Sequence, residues 1–142
     1  MTQENPKNQE TQTPQNSPHL VNPLRVPGCG DLMTVAWLND RFRRMVFRRP
    51  VSGGRVVLSH NVSGLLESNL ELFRELVLEV RNFKDFGKDN DPHGEHDFGA
   101  VKLEGVKYFW KIDYLDREME KWCDPMSDDC YRVLTIMEAS EY

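Results

Sequence analysis

Between Phe98 and Leu115 the chain alternates so regularly that a β-hairpin is the natural reading. Val106, Tyr108, Trp110, Ile112 and Tyr114 fall on one side of an extended segment, and Lys107, Phe109, Lys111 and Asp113 fall on the other. Phe98 to Leu103 reads as the partner strand, with Glu104-Gly105 as the tight turn between them. A sheet with one apolar, aromatic face has to cover that face.

The covering elements are helical. Val35, Leu38, Phe42 and Met45 recur at helical spacing and predict a first helix over about Leu32 to Phe47, with Asp31 as its N-cap. Arg41, Arg44 and Arg48 repeat on another face. A second helix is expected over Ser63 to Asn82, its stripe formed by Leu66, Leu70, Phe73, Val77 and Val80 and widened by Leu65 and Leu76. Glu67, Glu71 and Glu75 line the opposite side. Arg55 to Ser59 reads as a short strand and Tyr131 to Glu138 as the last one. Lys84 to Gly94 is a polar loop, and Asp116 to Asp129 is an acidic connector with a helical turn at Arg117 to Trp122. The expected fold is α+β: two amphipathic helices on a mostly antiparallel four-stranded sheet, in the order α-β-α-β-β-β.

Residues 1–30 hold five of the eight prolines and no apolar periodicity, which reads as a disordered tail before a single domain over residues 31–142. The net charge of -5 is unevenly spread. Residues 31–60 have a basic excess of six arginines over Asp31 and Asp40. Residues 61–142 are strongly acidic, which disfavours broad wrapping of nucleic acid. Three cysteines, Cys29, Cys123 and Cys130, lack scaffold-like spacing, and no apolar run approaches the roughly 20 residues of a membrane span. With no signal-peptide pattern at the start, a reducing cytoplasmic setting is expected.

Chemistry-bearing groups concentrate in Asn90-Asp91-Pro92-His93-Gly94-Glu95-His96-Asp97-Phe98-Gly99. A structural reading uses Asn90 and Asp91 as turn caps, Gly94 and Gly99 for positive φ or close approach, and His96 as a buried, hydrogen-bonded imidazole. A catalytic reading takes His96, Glu95 and Asp97 as an acid–base group without a cofactor. A divalent-metal reading takes His93, His96 and Asp91 as ligands. Pro92 and Gly94 argue against a helix here, and the zinc-protease order of His and Glu is not present. Further combinations are Cys123 and Cys130 with the two histidines around zinc, and Asp97 with Glu104, Lys111 or Asp113 around magnesium. Arg41, Arg44 and Arg48 are the candidate nucleic-acid or acidic-partner contacts. Trp122, within the acidic connector, is a candidate interaction residue.

The same decapeptide resembles the signature of a bacterial family known as domain of unknown function 3768. So do Gly53-Gly54-Arg55-Val56-Val57, Trp110-Lys111-Ile112-Asp113-Tyr114 and Arg132-Val133-Leu134-Thr135-Ile136-Met137. The resemblance spans about Leu32 to Tyr142. It implies a small bacterial accessory protein, of a family common on alphaproteobacterial plasmids, and no particular reaction. The leading expectation is a cytoplasmic binding protein that contacts a protein partner through its acidic half and signature loop. A metal-dependent hydrolase centred on His93 to Asp97, and nucleic-acid binding through the first helix, are the alternatives.

Overall fold

The computed structural model describes residues 33–142. The tail over residues 1–30 and the Asp31 cap lie outside the described residues. Helix α1 spans Val35–Met45 and is capped by Thr34, whose side chain accepts from the Trp37 N–H at 3.1 Å. Strand β1 is Gly54–Leu58, α2 is His60–Ser68 and α3 is Leu70–Asn82. Strands β2 (Phe98–Leu103), β3 (Val106–Leu115) and β4 (Tyr131–Glu138) match the expected spans, and a short 3-10 turn follows at Ala139–Glu141. Glu104 and Gly105 both take positive φ, as a two-residue hairpin turn requires.

The expected single second helix is instead two. Asn69 leaves helical geometry (φ -145, ψ 77), and its side chain caps α3 by accepting from the Leu72 N–H at 3.1 Å. The element order is therefore α-β-α-α-β-β-β. The break also rotates the buried stripe. Val62, Leu72, Leu76 and Val80 face the core, whereas Leu66 and Leu70 are 43% and 45% exposed. Asp116 to Trp122 is likewise a turn and not a helix. Asp116 accepts from the Glu120 N–H at 2.9 Å, and Trp122 bridges back to Leu115.

Strand order is β1-β4-β3-β2, with β1 parallel to β4 and the other pairs antiparallel, so the sheet is mixed. All three helices contribute to one core. Leu38, Phe42, Val62, Leu76 and Val80 pack on Val101, Tyr108, Trp110, Ile112, Tyr114, Leu134 and Ile136. Two glycines permit close approaches in this core. A Cβ on Gly54 would collide with the Phe42 ring and the Arg132 carbonyl, and one on Gly99 would collide with the Trp110 indole across the hairpin.

Candidate functional site

The signature loop is held in place by polar groups from three directions. Within the loop, one Asp91 carboxylate oxygen accepts from the backbone N–H groups of Glu95 at 2.8 Å and His96 at 3.2 Å. Asn90 similarly accepts from the Gly87 N–H at 2.7 Å. Gly94 has φ 64, and His96 itself has φ 54, a left-handed conformation that few non-glycine residues adopt.

From α1, Asp40 reaches His96. The His96 Nδ1 lies 3.0 Å from an Asp40 carboxylate oxygen; because an ionised carboxylate only accepts, Nδ1 donates. Nε2 faces the second Asp91 oxygen at 3.8 Å, beyond hydrogen-bond reach. The imidazole also stacks on Phe86, with centroids 3.8 Å apart and planes 3° from parallel. Its side chain is 30% exposed.

Behind Asp40 stands Arg43, fully buried. Its guanidinium donates to Asp40 at 2.8 Å and to the carbonyls of Val80, Arg81 and Phe83. These carbonyls are left open at the end of α3, where a cation is favoured by the helix dipole. The guanidinium also lies 4.8 Å from the Trp110 ring centroid. Burial pulls the Arg43 pKa down and Asp40 works against that shift.

A second buried network ties the loop to β3 and β4. The Asn39 amide donates to the Glu95 carbonyl at 2.8 Å and to the Tyr114 hydroxyl at 2.7 Å, and accepts from Arg132 Nε at 2.8 Å. Tyr114 in turn donates to the Glu95 carboxylate at 3.0 Å. Burial, the largest cause, raises the Tyr114 pKa, so the hydroxyl stays protonated. Burial lowers that of Arg132.

The expected catalytic residues thus take separate roles. Glu95 serves Tyr114, His96 serves Asp40, and Asp97 lines a groove on the other side of the strand start. His93 is exposed at the loop tip, apart from the buried Asp91. Among the described residues, no three His, Cys, Asp or Glu side chains converge as metal ligands would. Cys123 and Cys130 are free thiols. The carboxylate that orients His96 is neither Glu95 nor Asp97 but Asp40, from α1. The sequence assigns no site role to Asn39 or Arg132, and it places Arg43 only in the basic cluster and Tyr114 only on the apolar strand face. A signal for them existed: Asn39 and Arg43 flank the Leu38–Phe42 stripe, and Arg132 shares strand parity with Leu134 and Ile136.

Shallow depressions open at the surface of the described residues. One of about 280 Å³ is lined by Trp37, Asp40, Arg41, Arg44 and Met45, and there Arg41 lies 5.4 Å from the Trp37 ring centroid. Arg44 and Arg48 are exposed. A second, of about 330 Å³, lies between the Phe83 to Asn90 loop and Ala100. A third, of about 360 Å³, is lined by Asp97, Ile112, Asp113, Tyr114, Leu115 and Trp122. Trp122 is 71% exposed there. The Asp97 pKa is raised, chiefly by burial and further by repulsion from Glu95 and Asp91, against a backbone hydrogen bond and His93 that work to lower it. Among the described residues no cation forms an ion pair with it.

A family model of a protein of unknown function (DUF3768) matches residues 58–141, more than half of the chain. The chain belongs to this family. The signature-loop partners Asn39 and Asp40, and Arg43 behind Asp40, lie on α1, outside the matched stretch. No curated protein and no solved structure matches the chain. Among the described residues, no helix is long and apolar enough to cross a membrane.

Proposed function

We propose that this protein is a binding module of bacterial cytoplasm, an accessory protein that docks a basic segment of a protein partner in the Asp97–Asp113–Trp122 groove. The observation that carries this reading is Trp122. A large aromatic ring stands 71% exposed beside a carboxylate whose ionised form is disfavoured where it sits. A lysine or arginine from a partner would relieve that carboxylate, and the indole would supply the apolar anchor typical of a hot spot. The turn at Asp116 and the Leu115–Trp122 bridge fix the backbone that carries the ring before binding. The free thiols of Cys123 and Cys130 suit a reducing compartment, and the resemblance to a plasmid-borne family supports an accessory role.

The test is anisotropy of a labelled arginine-rich peptide titrated with the full chain. Saturable binding that weakens about 30-fold in Trp122→Ala, the ~2 kcal/mol of a hot spot, and also weakens in Asp97→Asn is the expected result. Absence of binding, or indifference to both substitutions, would refute the reading.

One observation favours a second reading. The Asp40 carboxylate accepts from His96 Nδ1, so a neutral imidazole would present Nε2 as a base, the arrangement used in hydrolytic sites with or without a metal. On that reading a hydrolase screen finds an activity that both His96→Asn and Asp40→Asn abolish in folded protein.

A further inference from the structure

The helices cover one face of the sheet. The side chains of the other face follow from strand parity and register. On β2 these are Phe98, Ala100 and Lys102; on β3 they are Lys107, Phe109 and Lys111. Val133 and Met137 of β4 sit on this side as well, buried but outside the main core cluster. The core residues of α1, α2 and α3 pack on the opposite face, and the 3-10 turn at Ala139–Glu141 brings Tyr142 onto Phe109 on this one.

Three aromatic rings form a row on this open face. Phe98 and Phe109 have centroids 5.4 Å apart, and Phe109 and Tyr142 are also 5.4 Å apart. Tyr142 is 79% exposed. Lysines flank the row, one of them offset by a carboxylate. Lys107 Nζ lies 5.1 Å from the Phe109 ring centroid, and Lys111 pairs with Asp113 at 2.9 Å. Lys102 and Lys107 stand directly opposite one another in the hairpin register. Like charges in directly opposed positions destabilise a hairpin. A bound polyanion would offset that repulsion.

We propose that the open face of the sheet binds single-stranded nucleic acid, with bases against the Phe98–Phe109–Tyr142 row and phosphates near Lys102, Lys107 and Lys111. Two features select this ligand class. Aromatic rings that reach solvent, here the exposed Tyr142 and the half-buried Phe98 and Phe109, offer stacking platforms to unpaired bases, and flanking lysines follow the backbone. A duplex hides its base faces and would gain from the lysines alone. The acidic groove at Trp122 adjoins this face at Asp113, the partner of Lys111, but Trp122 and Asp97 lie outside the aromatic row, and this proposal does not depend on them.

The experiment is anisotropy of a labelled oligothymidylate titrated with the full chain, repeated over a range of salt. A duplex of equal length and polyglutamate serve as comparison and competitor. Single strands are expected to bind more tightly than duplex. The slope of log affinity against log salt is expected near -2, about 0.7 for each of the three lysines. Tyr142→Ala and Phe109→Ala should each weaken binding roughly tenfold, and Lys107→Glu should flatten the slope. Because Tyr142 and Lys107 are exposed, those variants report on binding even if Phe109→Ala disturbs the fold. No saturable binding at low salt would overturn the proposal. So would equal affinity for duplex, or displacement by polyglutamate with affinity unchanged in Tyr142→Ala; that last pattern would assign the face to an acidic protein.

Discussion

The signature loop and the Trp122 groove meet at Asp97, yet they treat their polar groups in opposite ways. In the loop, Asp91, Glu95 and His96 are engaged with backbone N–H groups, Tyr114 and Asp40. In the groove, Asp97 has no ion-pair partner among the described residues and Trp122 faces solvent. The most distinctive sequence motif is therefore largely occupied with architecture. The plainer residues beside it remain available to a ligand. A dense cluster of His, Asp and Glu marks a site only when its atoms are left free, and here most of them are not.

The sharpest way to break this comparison is to remove the cation that anchors the loop from behind. Arg43→Ala leaves three carbonyls at the end of α3 and the Asp40 carboxylate without their donor. A loss of about 3–5 kcal/mol is expected in denaturant unfolding, the scale for breaking a buried charge network. Arg44→Ala, one residue along and exposed, should stay within about 0.5 kcal/mol. Equal losses in both would show that Arg43 anchors nothing special. Next in size is Gly99→Ala, which forces the Trp110 indole to move and should cost roughly 1–3 kcal/mol by overpacking. A variant as stable as the parent would mean that the indole relocates freely.

The groove answers to pH. The folded state holds the Asp97 proton more tightly than the unfolded chain does, because burial and neighbouring carboxylates raise its pKa above the ordinary 3.8. Stability is therefore lost as pH rises from about 3.8 through the raised value. Asp97→Asn should gain stability over the parent at pH 7, and the gain should vanish below pH 3.8. Parallel stability–pH curves for the two proteins would show that Asp97 is solvated like any surface carboxylate.

Much of the fold was legible because period-2 patterning is a local signal. The spans of β2, β3 and β4 and the Glu104-Gly105 turn all follow from alternation and turn chemistry. The break at Asn69 was hidden, because one polar residue inside a helical pattern carries no mark that distinguishes a cap from an exposed side chain. The phase error at Leu66 and Leu70 follows from it. The parallel pairing of β1 with β4 depends on a connection through two helices and the β2–β3 hairpin, which no local pattern encodes. At the site, the loop was visible but its partners were not. Asp40 and His96 are far apart in sequence, and a buried Arg43 contradicts the usual placement of arginine on the surface.

The central claim is that the signature loop maintains the fold while the Trp122 groove makes the contact. The most direct measurement is paired: unfolding free energy and arginine-peptide affinity for His96→Ala and for Trp122→Ala. The account predicts that His96→Ala loses about 1–3 kcal/mol, as removal of a partner from a partly buried polar network does, and that its folded fraction binds peptide with parental affinity. Trp122→Ala should keep its stability within about 0.5 kcal/mol and lose binding. The reverse pattern, a stable His96→Ala that no longer binds and an unstable Trp122→Ala that does, would contradict it.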